Sequence, residues 1–237
     1  MDEEIKHLLD WEKATFGKSV TEENSKCPIT SSLLMIEECP DLRVRSAKFN
    51  LSDCELLVIV MLTGFHSDFV NGDRVKDKTI QQKIRNILQS ALLKLPKYDN
   101  NFDLSKDSRE YNCDYPGTFL YRRLDYVSKG EYYVGREWVH PVSLTATIEN
   151  FGALNSGTVI LEIKPLPINK TKSHKVYLVR DQCDEIVEKY PKMDISKEWQ
   201  VNFEFNTKFK VTNIRKIQEK TGDKITYTLI SVEESDV

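Results

Sequence analysis

The chain changes character once, between about residue 96 and Phe119, and this change limits the folds that are open to it. Before that point, apolar residues recur with helical spacing, and Pro96 ends the clearest run, at Ile80, Ile84, Ile87, Leu88, Ala91, Leu92 and Leu95. After it come segments rich in β-branched and aromatic residues: FLYRRLDY, TVILEIKPL, KVYLV, EWQVNFEF, KFKVTNIRKI and KITYTLISV. Helices first and strands later predict an α+β fold instead of alternating βαβ units.

Local signals refine this division. Ser52 is followed three residues later by Glu55, a capping-box pattern that predicts the start of a helix over the apolar run 56–62. A polar, aperiodic stretch after Pro96 predicts a loop, and TGD at 221–223 predicts a turn between the last two strands.

Bulk properties exclude several classes of function. The 237 residues carry a net charge of −3, so nucleic-acid binding has no strong signal. No apolar run is long enough to span a membrane. Five scattered cysteines without CxxC spacing predict reduced thiols in a cytoplasmic protein, and the four histidines have no metal-binding spacing, so no metal is expected. Neither GxGxxG nor GxxxxGK[ST] occurs, so any nucleotide is bound by another route.

Polar residues within the strand-rich half are the candidates for a site. Arg122 lies in an apolar strand beside Arg123, and alternation predicts that one of the two guanidinium groups points inward, where it needs an anion. An internal salt bridge would satisfy the same requirement. PVSLTAT places Ser143, Thr145 and Thr147 on one strand face, which would also suit an ordinary half-exposed strand.

The segment SKEWQV adds a carboxylate and a neutral amide. Glu198 and Gln200 are two residues apart and therefore share one face of a predicted strand. That face is either a solvent-exposed edge or part of a site.

The order of these motifs resembles the mono-ADP-ribosyltransferases of the Arg–Ser–Glu class, most closely the Mod/Alt-type arginine ADP-ribosyltransferases of tailed phages. FNLSDCELLVIVMLTG resembles an early helix of that family, LLKLP followed by FLYRRL its Tyr/Trp-Arg-Gly region, and WVHPVSLT its aromatic–Ser-x-Ser/Thr strand. GTVILEIK resembles its next core strand, and ISKEWQVNFEFNTKFKV its Glu-x-Glu segment and closing strand. The resemblance implies a catalytic domain over 49–237 after a mostly helical extension over 1–48. It also implies N-terminal helices packed on a split, mixed or antiparallel β core.

The resemblance also implies roles for individual residues. NAD would be the substrate that donates ADP-ribose, and Arg122 would hold its pyrophosphate or a nearby ribose. Ser143 and Thr145 would match the Ser-x-Ser/Thr motif, with Ser143 positioning the nicotinamide ribose; a second register would use Thr145 and Thr147. Tyr121 and Trp138 would complete the NAD-binding set. Glu198 would orient or deprotonate the acceptor guanidinium, and Gln200 would occupy the position of the second glutamate.

The partner implied by the resemblance is a protein with an exposed arginine, and the host transcription or translation machinery is the implied source of such targets. The expected location is the cytoplasm, which would be the host cytoplasm if a phage encodes the chain.

Two residues depart from the family pattern. Arg123 stands where the family usually has glycine, and Gln200 lacks the charge that would stabilise an oxocarbenium-like ribosyl cation. Gln200 is either an engineered replacement of glutamate, the mark of a natural inactive relative, or misaligned, in which case Glu198 is the catalytic carboxylate. Phe209 follows Gln200 by nine residues, which fits the family spacing and favours Gln200 as the match.

Three hypotheses therefore stay open: an NAD-consuming protein-modifying transferase, an inactive protein-binding module with the same fold, and an unrelated structural α+β protein. NAD binding separates the first two from the third, and NAD cleavage separates the first from the second.

Overall fold

A computed structural model describes residues 2–17, 27–63, 66–71, 75–99, 119–124, 128, 130–148, 158–176, 200–218 and 226–236. The predicted turn at 221–223, most of the predicted loop after Pro96, Glu198, Cys113 and Cys183 lie outside these residues. The chain divides into two compact units. The first contains the described residues up to Leu95 together with Val176, and the second contains those from Pro96 to Lys175 and from Gln200 onward. The predicted catalytic boundary at residue 48 concerns function and stays a prediction.

The first unit is helical, as the apolar periodicity predicts. Its helices are α1 (Glu3–Phe16), α2 (Pro28–Glu38), α3 (Asp41–Lys48), α4 (Asp53–Thr63), α5 (Ser67–Val70) and α6 (Lys78–Lys94). Helix α4 is apolar on all sides and packs against α2, α3, α5 and α6, so it forms the centre of this unit.

Local signals set the helix ends. The capping box before α4 is confirmed, because Ser52 N–H donates to Glu55 Oε2 at 2.7 Å and Glu55 N–H donates to Ser52 Oγ at 3.2 Å. Helix α6 begins after Asp77, whose carboxylate accepts hydrogen bonds from two backbone N–H groups, and it ends two residues before Pro96. Its predicted apolar stripe is buried along its length.

The second unit is built on one sheet. Its strands are β1 (Leu120–Leu124), β2 (Glu137–His140), β3 (Leu144–Thr147), β4 (Val159–Lys164), β5 (Ser173–Lys175), β6 (Gln200–Phe203), β7 (Thr207–Gln218) and β8 (Thr226–Glu234). In the described parts of the chain these eight strands have the order β2-β7-β8-β4-β1-β3-β6-β5. Strands β4 and β8 pair in parallel, and the other described pairings are antiparallel, so the sheet is mixed as predicted.

The sheet is strongly curved, as contacts between side chains of strands that are far apart in the sheet show. The rings of Phe203 on β6 and Phe209 on β7 are 5.1 Å apart between centroids, although β8, β4, β1 and β3 lie between their strands. Both phenylalanines are completely buried. The concave face therefore holds the apolar cluster that contains these two rings, and the residue next to Phe203 on β6, Asn202, points to the other face.

The sequence predicts reduced cysteine thiols and no membrane-spanning segment. Cys27, Cys39 and Cys54 are buried and form no disulfide bond among the described residues. Within the described ranges, no helix combines the length and the apolar character needed to cross a bilayer.

Candidate functional site

A polar cluster occupies two neighbouring strands of the sheet. In the antiparallel pairing of β3 with β6, Thr147 lies across from Gln200 and Thr145 lies across from Asn202. Because side chains two residues apart share a face, these four residues lie together on the face opposite Phe203. The sequence of β3 therefore places its hydroxyls on the same surface as the amides of β6.

Asn202 connects the two strands through its side chain. Its Nδ2 group donates to Ser143 Oγ at 3.0 Å and to Thr145 Oγ1 at 2.9 Å. Ser143 Oγ in turn donates to the main-chain oxygen of Phe203 at 2.8 Å. Asn202 is 0% and Ser143 1% exposed, so water does not compete for these bonds. The cluster is consequently held in one arrangement.

Gln200 forms the half-buried end of this network. Its Nε2 group donates to Asn202 Oδ1 at 2.8 Å. Gln200 is linked to Ser143 only indirectly in this network, through the side chain of Asn202. On the neighbouring strand it lies directly across from Thr147. The structure thus brings together Ser143, Thr145 and Gln200, while the neighbouring Glu198 is outside the described residues.

Arg122 lies on the opposite face of the sheet from Gln200. Tyr121 pairs with Thr147, which pairs with Gln200, so Tyr121 shares the face of Gln200 and its neighbour Arg122 does not. The exposed Arg122 guanidinium still donates to the main-chain oxygen of Thr145 at 3.4 Å. It therefore lies close to β3 without sharing the face of the polar cluster.

Arg123 is the arginine of the pair that is turned inward. Its Nε atom is buried, and its guanidinium lies over the ring of Tyr227, 5.3 Å from the centroid. By alternation it shares the face of Tyr121 and Gln200. The expectation that one of the two arginines points inward is thus confirmed for Arg123, whose guanidinium contacts an aromatic ring.

His140 is a titratable residue near the candidate site that the sequence analysis did not single out. Burial lowers the pKa of its imidazole, and the positive charge of Arg122 lowers that pKa further. Strands β1 and β2 are separated in the sheet by β4, β8 and β7, so the curvature of the sheet must bring these side chains near each other. No spacing in the sequence could have linked the two residues.

Trp138 belongs to a group of aromatic rings on β2, on β7 and in the segment before β2. Its ring is 5.4 Å from Phe209 and 5.6 Å from Tyr132 between centroids. The Arg136 guanidinium lies 5.3 Å from the Tyr132 ring centroid and 5.9 Å from that of Trp138. These contacts orient Trp138 by cation–π and edge interactions.

Tyr121 packs in an apolar cluster with Ile160, Tyr227 and Leu229, and it is only 5% exposed. A side chain so enclosed contributes mainly to the core of the second unit.

Asn202 is the second residue of the site that the sequence analysis did not single out, although the sequence pattern of β6 already pointed to it. Gln200 and Asn202 alternate with Val201 and Phe203, so the period-two pattern already placed both amides on one face. The burial of Asn202 and its hydrogen bonds to β3 could be known only from the pairing of β6 with β3, because Asn202 and Thr145 are 57 residues apart in the sequence.

Comparison of this fold with known proteins gives structural relatives only. No protein-family model matches the sequence, and no curated protein matches it. Plx2a, an ADP-ribosyltransferase toxin from Paenibacillus larvae, has a TM-score of 0.54 and 14% identity, over 80% of this chain and 90% of that one. The type III effector XopAI from Xanthomonas axonopodis pv. citri has a TM-score of 0.54 and 14% identity, over 100% of this chain and 84% of the effector.

A third similar structure is the enzymatic component C2-I of the C2-toxin from Clostridium botulinum. It has a TM-score of 0.51 and 15% identity, over 86% of this chain and 47% of C2-I, so the chain matches about half of that protein. At such identities the likeness concerns the fold. The chain has an α+β fold of the ADP-ribosyltransferase type, which confirms the fold predicted from the resemblance.

Proposed function

We propose that the protein transfers ADP-ribose from NAD to a protein and releases nicotinamide. The observation that carries this proposal is the fold, which covers most of this chain and nearly all of Plx2a, a protein described as an ADP-ribosyltransferase toxin. The hydrogen-bonded cluster of Ser143, Thr145, Asn202 and Gln200 supports it, because it supplies ordered donors and acceptors on two adjacent strands of that fold.

The reaction proposed here breaks the bond between the ribose C1′ atom and nicotinamide, which leaves with the bonding electrons. The ribose then carries a developing positive charge, which a nearby carboxylate would stabilise. Glu198 is the carboxylate we assign to the acceptor, where it would hold the incoming group and take its proton. Gln200 keeps a hydrogen bond at the second position but supplies no charge, so we expect weak cleavage.

The remaining assignments concern NAD. Arg122 would bind its pyrophosphate, since a guanidinium matches phosphate oxygens with two parallel hydrogen bonds. Ser143 and Thr145 would position the nicotinamide ribose, and Tyr121 and Trp138 would flank the nucleotide.

The acceptor we propose is an arginine of a protein, and host transcription or translation proteins are the candidate targets. A carboxylate can hold a guanidinium by a forked hydrogen bond and favour its attack, which is the role given to Glu198. The arginine acceptor and the phage-type biology rest on the motif resemblance alone.

The test is nicotinamide release together with transfer of label from NAD to proteins of a cell lysate. We compare the chain as it is, Gln200→Glu, and Gln200→Glu combined with Glu198→Ala. The expected labelling is weak, strong and weak in that order, and the label should be on arginines. Robust transfer by the unchanged chain that Glu198→Ala abolishes, with no gain from Gln200→Glu, would instead make Glu198 the catalytic acid.

A second candidate function is a catalytically inactive module that binds a protein through the same fold. The neutral Gln200, whose amide is committed to Asn202, favours it. Calorimetric binding of NAD without release of nicotinamide by any variant supports this candidate, and release by Gln200→Glu argues against it.

A further inference from the structure

The hydrogen bonds around Asn202 run in one direction, and a main-chain carbonyl fixes that direction. The oxygen of Phe203 can only accept, so Ser143 Oγ must use its single hydrogen on it, at 2.8 Å. Ser143 Oγ is then an acceptor toward Asn202 Nδ2, at 3.0 Å. The second Nδ2 hydrogen is used by Thr145 Oγ1 at 2.9 Å. Both donors of Asn202 are therefore turned toward β3.

This direction leaves an acceptor facing position 200. Asn202 Oδ1 receives the hydrogen bond from Gln200 Nε2 at 2.8 Å. A carboxylate at this half-buried position would bring one of its acceptor oxygens against the oxygen of the fully buried Asn202, which is unfavourable.

We propose that Asn202 is a positioning residue that requires a hydrogen-bond donor at position 200, so that Gln200 and Asn202 form a matched neutral pair. Position 200 is occupied by an amide because the buried network is built for one. The pairing itself follows from the hydrogen bonds, whereas its bearing on NAD cleavage rests on the proposed function.

Rotation of the Asn202 amide by half a turn would reverse the direction, and the network resists it. Reversal would set Asn202 Oδ1 against Ser143 Oγ unless Ser143 gave up its bond to Phe203. Ser143 is 1% exposed, so water cannot replace that bond cheaply. The carboxyl introduced by Gln200→Glu is therefore expected to stay protonated as a donor to Asn202 Oδ1, which raises its pKa.

Other charged groups near the network must be considered. His174 on β5 lies directly across from Asn202 of β6, and its Nε2 atom is 2.6 Å from the carboxylate of Glu204, which follows the end of β6. Arg122 reaches the main-chain oxygen of Thr145, and Arg123 shares the face of Gln200 by alternation. A cation at these positions would lower the pKa of a carboxyl at position 200. A raised pKa would therefore have to come from the acceptor oxygen of Asn202, from burial, or from the negative charge of Glu198, two residues before it in the sequence.

A pair of matched variants separates the effect of the Asn202 oxygen from the effects of burial and of Glu198, which both variants leave unchanged. In Gln200→Glu with Ser143→Ala, the anchor to Phe203 is gone and Asn202 can rotate to donate to the carboxylate. In Gln200→Glu with Thr145→Val, the anchor remains and Asn202 stays as it is. Burial is similar in both, so a difference between them reports the direction of the hydrogen bonds.

The measurement is the titration of the introduced carboxyl by carbon-13 NMR of the full-length protein, without NAD. We expect a pKa at least about one unit above the ordinary glutamate value of about 4.3 in Gln200→Glu and with Thr145→Val, and a lower pKa with Ser143→Ala. A pKa at or below the ordinary value in Gln200→Glu overturns the proposal, and so does an equal shift in the two double variants. The pKa measured in Gln200→Glu alone still tests the proposal if one of the double variants fails to fold.

Nicotinamide release gives a separate second readout. In Gln200→Glu the rate should increase with pH, by about tenfold per unit below the raised pKa. A raised pKa without any release at any pH would leave the matched pair standing and refute the proposed NAD chemistry. A normal pKa with strong release at neutral pH would refute the matched pair and support that chemistry.

Discussion

Arg122 on β1 and His140 on β2 interact electrostatically, although three strands lie between theirs in the sheet. Burial is the larger cause of the lowered pKa of His140, and the charge of Arg122 is the second. The order of strands in the sheet does not by itself place these two groups near each other, since β4, β8 and β7 separate β1 from β2.

Arg122→Ala should raise the pKa of His140, because it removes the positive charge that disfavours the imidazolium form. Arg123→Ala is the matched control, since its guanidinium lies over Tyr227. The pKa is read from the imidazole resonances as a function of pH. An equal change in both variants would show that a general loosening of β1, and not the charge of Arg122, is responsible.

Arg122→Ala should also weaken NAD binding, by about 2–5 kcal/mol if the guanidinium forms a desolvated contact with the pyrophosphate. Isothermal titration calorimetry with NAD measures this. Because Arg123 shares the face of Gln200 and Arg122 does not, Arg123→Ala is the informative comparison. Unchanged affinity in Arg122→Ala with a loss in Arg123→Ala would assign the nucleotide to the face of the polar cluster.

Glu55→Gln should destabilise the protein at neutral pH by about 1.5–3 kcal/mol, the range for hydrogen bonds to a charged group. Burial raises the pKa of Glu55, but hydrogen bonds from Lys94, Ser90 and Ser52 outweigh it and leave the pKa lowered. A carboxylate with a lowered pKa stabilises the folded state above its unfolded pKa, and this contribution is lost as the pH falls through the folded pKa.

The difference between Glu55→Gln and the unchanged chain should therefore shrink below about pH 4, where the unfolded carboxyl also becomes protonated. Urea unfolding at a series of pH values measures it. Glu37→Gln, at an exposed position on α2, is the control and should change little. A difference that is constant from pH 3 to 8 would rule out a contribution from the charge.

Leu88→Asp should destabilise the helical unit by several kcal/mol, because it places a carboxylate at a position that is 0% exposed. Leu93→Asp on the same helix is the control, since Leu93 is 61% exposed. Thermal unfolding by circular dichroism compares the two. We expect Leu88→Asp to unfold the whole chain in one transition, and two separate transitions would mean that the helical unit folds independently.

The sequence by itself determined the helices, most of the strands and the α+β class of the fold. Helix α6 and the capping box before α4 depend on contacts within one turn or one face, so their residues carry the information locally. The same is true of the alternation that put Gln200 on a polar strand face. The family resemblance, carried by the order of short motifs, was sufficient to predict the fold that the structural comparisons support.

Only the tertiary structure decided which of these residues meet. Asn202 became the centre of the polar cluster because β3 and β6 pair in one register, and a shift by one residue would have turned its side chain toward the core. Arg122 and Arg123 are adjacent in sequence, yet pleating sends them to opposite faces and curvature brings one of them to His140. Pairing register and sheet curvature arise from contacts between residues far apart in the chain, which is why local patterns could not specify them.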